Sequence, residues 1–274
     1  MTTTPFRFAA QSAPADARQW LGLARRAEEL GYSSLLMPDG LQVPSPLPAL
    51  AVAAGATTTL HVGTWVLAAP LRPPRLAAWD AHTLSQLTGG RFELGIGTGL
   101  PTVAAEAVRL LEQPELTTAQ RLARVGQTID DLRDLDGDGH TPVLVAAGGP
   151  KARALAAAKA DIVTLAAGPL ADRGTVAELV AGVREAAGER GAGLEFAAPI
   201  FVVGDEAPPW VERFTGHDMA TLIERDSLMI LRGGPDQMAE ELQRRRETLG
   251  VSYFSVNATF LQEFAPVVGL LAGR

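Results

Sequence analysis

The chain has 274 residues, 47% hydrophobic and 20% charged, with a net charge of −7 and no cysteine. This balance excludes wholesale disorder and a fibrous repeat, argues against a nucleic-acid partner, and rules out disulfides, thiolate nucleophiles and cysteine-held zinc. A single α/β barrel fits the length, so one domain over residues 1–274 is expected.

In chain order, the first β-rich run is FRFAAQ, residues 6–11. Residues 16–30 follow with helical spacing, Trp20, Leu23, Ala27 and Leu30 recurring on one face and Gly31 acting as the stop. Further β-rich runs are SSLLM (33–37), HVGTWVL (61–67), RFELGIG (91–97), PVLVAA (142–147), DIVTLA (161–166), FAAPIFVVG (196–204) and SYFSV (252–256). Eight strands alternating with helical stretches imply right-handed βαβ units and a closed (β/α)8 TIM barrel, with an open doubly wound sheet as the other arrangement. Residues 199–229 read as an excursion holding a helix. The basic run Arg244 to Arg246 reads as a solvated helix face.

No apolar run reaches the roughly 18 residues needed to span a bilayer, and MTTTPFRFAA lacks the form of a secretory signal. A cytoplasmic protein without a membrane partner is expected. The four histidines show no metal-binding spacing, so no metal site is expected.

In a TIM barrel the chemistry gathers after the carboxyl ends of the strands. There lie Asp39 in MPDG, the segment around Trp65, the GIGTG loop, and AAGGPKAR. The last combines Gly148 and Gly149 for close backbone approach, Pro150 for the first helical turn and Lys151 for positive charge; it reads either as a phosphate site or as an ordinary strand-to-helix turn. GIGTG has Leu100 where a dinucleotide fingerprint needs its last glycine, so that motif is unsupported. Asp39 suits either a ligand contact or a helix cap. Arg91 and Asp161 start strands at the opposite rim and are expected to stabilise the barrel, and His82, inside a helical run, is expected to pack or to face solvent rather than to act in catalysis.

Four segments carry a resemblance: ARRAEELGYSSLLMPDG, then PLPALAVAAGATTTLHVGTWVLAAPLRPPRLAAWDAHTLSQLTGGRFELGIGTG, then VLVAAGGPKARALAAAKADIVTL, and GGPDQMAEELQRRRETLGVSYFSV. In this order they resemble the luciferase-like monooxygenase superfamily, whose barrels include flavin monooxygenases and deazaflavin-dependent oxidoreductases. The resemblance implies a third strand that breaks at the mouth in a bulge supporting a tricyclic ring, here Thr64, Trp65 and Val66, with Trp65–Val66 the candidate cis bond. It implies that Asp39 borders the ring as the catalytic candidate. Gly97, Thr98 and Gly99 would line the cofactor channel, and Ala147, Gly148, Gly149, Pro150 and Lys151 would hold the phosphate.

The implied function is hydride transfer between coenzyme F420 and a small organic substrate, with an FMN-dependent monooxygenase and a non-catalytic flavin-binding barrel as alternatives. Relatives are often dimers, which points to a homodimer. Two departures stand out. Deazaflavin-dependent sugar dehydrogenases of the superfamily carry a histidine and a glutamate where this chain has Gly40 and Leu100, which puts alcohol oxidation by that route in doubt. The stretch between Gly99 and Pro142 is also short, implying a more open mouth or a different lid.

Overall fold

Short runs of Val, Leu, Ile and Phe that are buried on both faces form parallel strands, because helices cover one side and the barrel's own interior fills the other. A computed structural model describes residues 4–274. The strands are β1 (Arg7–Gln11), β2 (Ser34–Met37), β3 (His61–Thr64), β4 (Phe92–Gly97), β5 (Val143–Ala147), β6 (Ile162–Leu165), β7 (Glu195–Ile200) and β8 (Val251–Asn257). Each is parallel to its neighbours, β3 pairs with β4 and β8 returns to β1, so the eight strands close into a (β/α)8 barrel with no free edge. The expected run 196–204 is split. β7 ends at Ile200, and Val202–Val203 leaves the barrel to pair in parallel with Ile230–Leu231.

The helices in order are α1 (Ala17–Glu29), α2 (Pro46–Gly55), α3 (Pro74–Leu87), α4 (Pro101–Leu111), α5 (Thr118–Asp136), α6 (Pro150–Lys159), α7 (Arg173–Ala187), α8 (Pro209–Thr215), α9 (Met219–Glu224), α10 (Pro235–Leu249) and α11 (Leu261–Leu271). Thus the excursion after β7 holds two short helices, α8 and α9. Among the described residues no helix is long and apolar enough to cross a membrane.

Local chemistry decides where the helices begin. Asp16 caps α1 by accepting the Gln19 amide at 2.8 Å, and Asp172 caps α7 through the Thr175 amide at 2.7 Å. α5 opens on a reciprocal box between Thr117 and Gln120. By contrast, α4 and α6 start on Pro101 and Pro150 with no side-chain cap. Proline supplies the first-turn geometry but leaves the following amides unclaimed by any side chain.

Two apolar layers result. The outer one packs strand residues against helices, as where Phe8 meets Phe254 at 6.3 Å and the edge of Phe264 at 5.4 Å. Each such buried ring contributes up to about 3 kcal/mol before its entropy cost. The inner layer is Ala9, Leu36, Leu144, Ile162, Ala197 and Tyr253, stacked inside the barrel.

Below it lies a polar floor. Arg7 donates to Glu195 at 2.8 Å and also to Glu93, while the Tyr253 hydroxyl donates to Glu93 at 3.2 Å. Burial opposes the Arg7 charge, but Tyr253, Glu93 and Glu195 together hold its pKa above the usual range. Burial, reinforced by Glu93, keeps the Tyr253 phenol neutral.

Arg91 and Asp161 occupy the lower rim as expected. Arg91 donates to the carbonyls of Ala54, Leu60 and Thr88, and Asp161 accepts from Arg133 and from the Val143 amide.

The basic run of α10 needs correction, because only Arg244 is solvated as expected. Arg245 is 3% exposed and donates to Glu241 and to the carbonyls of Leu228 and Ile230, tying the end of the excursion to α10. Arg246 lies over the Phe6 ring at 3.9 Å. Three consecutive helical residues point about 100° apart, so they cannot share one face.

Candidate functional site at the barrel mouth

The third strand breaks at the open end of the barrel. From Gly63, opposite Glu93, to Leu67, opposite Ile96, it uses four steps where β4 uses three. This is a bulge of one residue. The strand resumes as Leu67–Ala68, and the peptide between Trp65 and Val66 is cis. The Trp65 amide donates to the Met37 carbonyl at 2.8 Å, and the Thr64 hydroxyl donates to the Gly95 carbonyl at 2.6 Å. Trp65 and Val66 are half-buried and pack against the inner apolar layer, roofing it from the mouth side.

The glycines of GIGTG make this bulge possible. A Cβ on Gly95 would sit on the Thr64 carbonyl oxygen, and one on Gly97 would lie 3.0 Å from the Val66 side chain and 3.2 Å from Ala146. Gly99 takes a φ of +74°, which favours glycine, beside the Pro70 ring. The bulge therefore takes up the space left by Gly95 and Gly97. Thr98 and Gly99 stay half-buried at the rim.

Asp39 follows β2 at the mouth. Its side chain is 2% exposed, and its carboxylate accepts from Arg72 Nη1 at 2.6 Å, from Arg72 Nη2 at 3.2 Å and from the Ala68 amide at 2.8 Å. The aspartate does not cap a helix. It clamps the loop after β2 to the chain just beyond the bulge, with Arg72 supplying a planar two-point grip. Sequence reasoning missed Arg72; its signal was a lone arginine among the prolines of APLRPP.

One strand further round the mouth from β4, Ala147 ends β5 buried, while Gly148, Gly149, Pro150 and Lys151 are exposed. Gly149 precedes α6, no side chain claims the helix's first amides, and a Cβ there would meet nothing within 4 Å. Arg153 reaches back to the Gly148 carbonyl. The set offers backbone amides, a helix dipole and two cationic side chains, which suits an anion such as a phosphate.

Two further polar residues line the top of the barrel. Gln11 ends β1 opposite Asn257, and Ser255, two residues earlier on β8, is fully buried and donates to Gln11 Oε1 at 2.9 Å. By the alternation of strands both face inward, above Ala9 and Tyr253. The histidines lie elsewhere. His82 pairs with Asp136 at 2.8 Å between α3 and α5, His140 with Asp161 at 3.0 Å, His61 begins β3 near the floor, and His217 lies between α8 and α9. An apolar cavity of about 50 Å³ lies beside α7, lined by Leu165, Val176, Phe196 and Met229. It is too small for a fused ring system, since even benzene occupies a cavity of about 150 Å³.

A closed parallel barrel with a broken third strand at its open end and an uncapped helix two strands further round is the framework of an α/β-barrel enzyme. The model of the luciferase-like monooxygenase family matches residues 1–209, and the chain belongs to that family. The chain is 27% identical over 178 residues to a 5,10-methylenetetrahydromethanopterin reductase of Methanolobus tindarius, covering 60% of this chain and 55% of that one. An uncharacterized protein of Mycobacterium bovis is 33% identical over 153 residues, 47% of this chain and 51% of its own. The chain thus spans about half the length of the curated relatives it matches.

Among solved structures, an F420-dependent secondary alcohol dehydrogenase bound to an F420–acetone adduct superposes with a TM-score of 0.76 at 17% identity, covering 97% of this chain and 98% of that one. A riboflavin lyase with modified FMN gives 0.75 at 14%, covering 98% and 93%. At such identity the likeness is one of fold.

Proposed function

We propose that the barrel mouth binds a flat redox cofactor, coenzyme F420 in preference to FMN, and that the enzyme transfers hydride between it and a small organic substrate. The observation that carries this reading is the pairing of the Trp65–Val66 bulge with the uncapped start of α6, two strands further round one opening. The bulge offers a half-buried apolar platform for a ring, and the α6 amides with Lys151 offer a cradle for a phosphate.

When bound, the cofactor supplies the hydride chemistry. The chain's residues do the rest. Thr64, Trp65 and Val66 support the ring from below, with Asp39 and Arg72 holding the loop that carries them. Gly97, Thr98 and Gly99 shape the near rim, while Ala147, Gly148, Gly149, Pro150 and Lys151 bind the phosphate. Residues 1–274 act as one barrel domain in this reading. It carries over to a cytoplasmic homodimer, for which the exposed Leu76, Trp79 and Leu87 of α3 offer an apolar face.

The preference for F420 rests on the closer resemblance of the ordered sequence segments to the deazaflavin branch of the family. Fluorescence titration of the purified protein with oxidised and reduced F420 and FMN tests it. F420 is expected to bind more tightly, and Gly149→Val to weaken that binding at least tenfold while leaving the fold intact, because its Cβ points into open space. Tighter FMN binding would transfer the reading to the monooxygenase alternative. Binding of neither would leave the non-catalytic barrel.

A further inference from the structure

We infer that Gln11 is a substrate-facing hydrogen-bond donor, oriented by Ser255, and that this mouth is built to reduce an unsaturated acceptor rather than to oxidise an alcohol. The inference rests on the proposed hydride transfer and deepens it by naming the substrate class.

The geometry is specific. Ser255 is fully buried on β8, and its hydroxyl donates to Gln11 Oε1 at 2.9 Å. That contact uses the acceptor end of the amide and turns the NH2 group away from it. Among the described residues Nε2 donates to no protein group, nor is it a buried unsatisfied atom. It is an oriented donor at the top of the barrel, above the inner apolar layer that the Trp65–Val66 bulge also roofs.

Neighbouring inward positions, Trp65, Val66, Gly97, Thr164, Ser255 and Asn257, carry no group able to take a proton at neutral pH, and the Asn257 side chain accepts from the Thr259 amide. Asp39, the carboxylate that follows β2 at the mouth, already accepts three hydrogen bonds from Arg72 and Ala68. Oxidising an alcohol needs a base for its hydroxyl proton. Reducing a carbonyl or a conjugated alkene needs the reverse, a donor that stabilises negative charge as it builds on oxygen.

In the balanced step, the electron-poor carbon of the acceptor gains a hydride, with two electrons, from the reduced cofactor. A C–H bond forms and the π bond breaks. The cofactor is left oxidised, and the resulting alkoxide or enolate takes a proton from water. Gln11 donates to the substrate oxygen throughout and loses no proton. Ser255 is a positioning residue.

The test mixes the purified full chain with chemically reduced F420 and, separately, cyclohex-2-enone or benzaldehyde under anaerobic conditions, following cofactor reoxidation. The affinity of each variant for F420 is measured alongside. The parent protein is expected to reduce at least one acceptor. Gln11→Met should lower kcat/KM for it ten- to a hundredfold, with cofactor affinity changed less than threefold. Ser255→Ala should fall between the two.

Gln11→Glu should be poor at neutral pH and regain activity as pH falls and the carboxyl becomes a donor, a profile that a packing role would not produce. Parent-like kcat/KM in Gln11→Met overturns the inference, as does a protein that binds reduced F420 and reduces neither acceptor. Failure to bind F420 at all overturns the proposed function itself, and the inference with it.

Discussion

Removing the Arg72 side chain should reveal how much of the mouth depends on its ion pair. The Asp39 carboxylate is 2% exposed and accepts two of its three hydrogen bonds from Arg72, at 2.6 and 3.2 Å. Arg72→Met leaves a buried charge held only by the Ala68 amide. Breaking a buried pair by removing one partner costs about 3–5 kcal/mol. Because the Arg72 side chain is 16% exposed, water can reach the vacated space, and we discount the loss to about 2–3 kcal/mol.

Adding Asp39→Asn removes the stranded charge yet keeps an oxygen for the Ala68 amide, so the double variant should regain about 1–2 kcal/mol of the loss. Urea unfolding of all four proteins at pH 7, read by circular dichroism and closed as a double-mutant cycle, supplies the numbers. An Arg72→Met variant within about 0.5 kcal/mol of the parent would refute the clamp, as would a second substitution that adds its full separate cost.

Three further outcomes follow from the same structure. Gly95→Ala should lose at least about 3 kcal/mol or fail to fold, since its Cβ lands on the Thr64 carbonyl, whereas Gly149→Ala should stay within about 0.5 kcal/mol; thermal melts of the two compare them directly. Arg245→Leu leaves the carbonyls of Leu228 and Ile230 without their donor and should cost about 3 kcal/mol, with proteolysis increasing first within residues 204–229.

The Glu28 carboxyl is the third. Burial alone would raise its pKa, but the amides of Thr59, Leu60 and Thr58 hold it down at about 2. A depressed carboxylate contributes stability that is present above its unfolded pKa of about 4.3 and is lost as pH falls through the folded value. Stability measured between pH 5 and 2 should therefore fall less steeply in Glu28→Gln than in the parent, and equal slopes would contradict the assignment.

Much of the fold was legible because strand runs and helical spacing are local signals. RFELGIG and PVLVAA read as buried strands from their own residues, and the alternation with helices implied closure. The run FAAPIFVVG did not reveal that Phe201 leaves the barrel, because the partner that draws Val202–Val203 away, Ile230–Leu231, lies nearly thirty residues further on.

The mouth was legible in part. The break at Trp65 followed from the resemblance, yet the reason GIGTG is glycine-rich lies in a carbonyl on the neighbouring strand. Arg72, Gln11 and Ser255 went unnoticed because their roles depend on partners 33 to 244 positions away. Arg245 was misjudged since charge suggests solvent, and only the packed excursion shows the two carbonyls, of Leu228 and Ile230, that accept from it.

A crystal structure of the protein soaked with F420 tests the central claim most directly. The deazaflavin ring is expected against Trp65 and Val66, its phosphate on the amides that follow Gly149, and Gln11 facing the open side of the ring. A ring bound away from the third strand, or a phosphate held elsewhere than at the start of α6, would contradict the account.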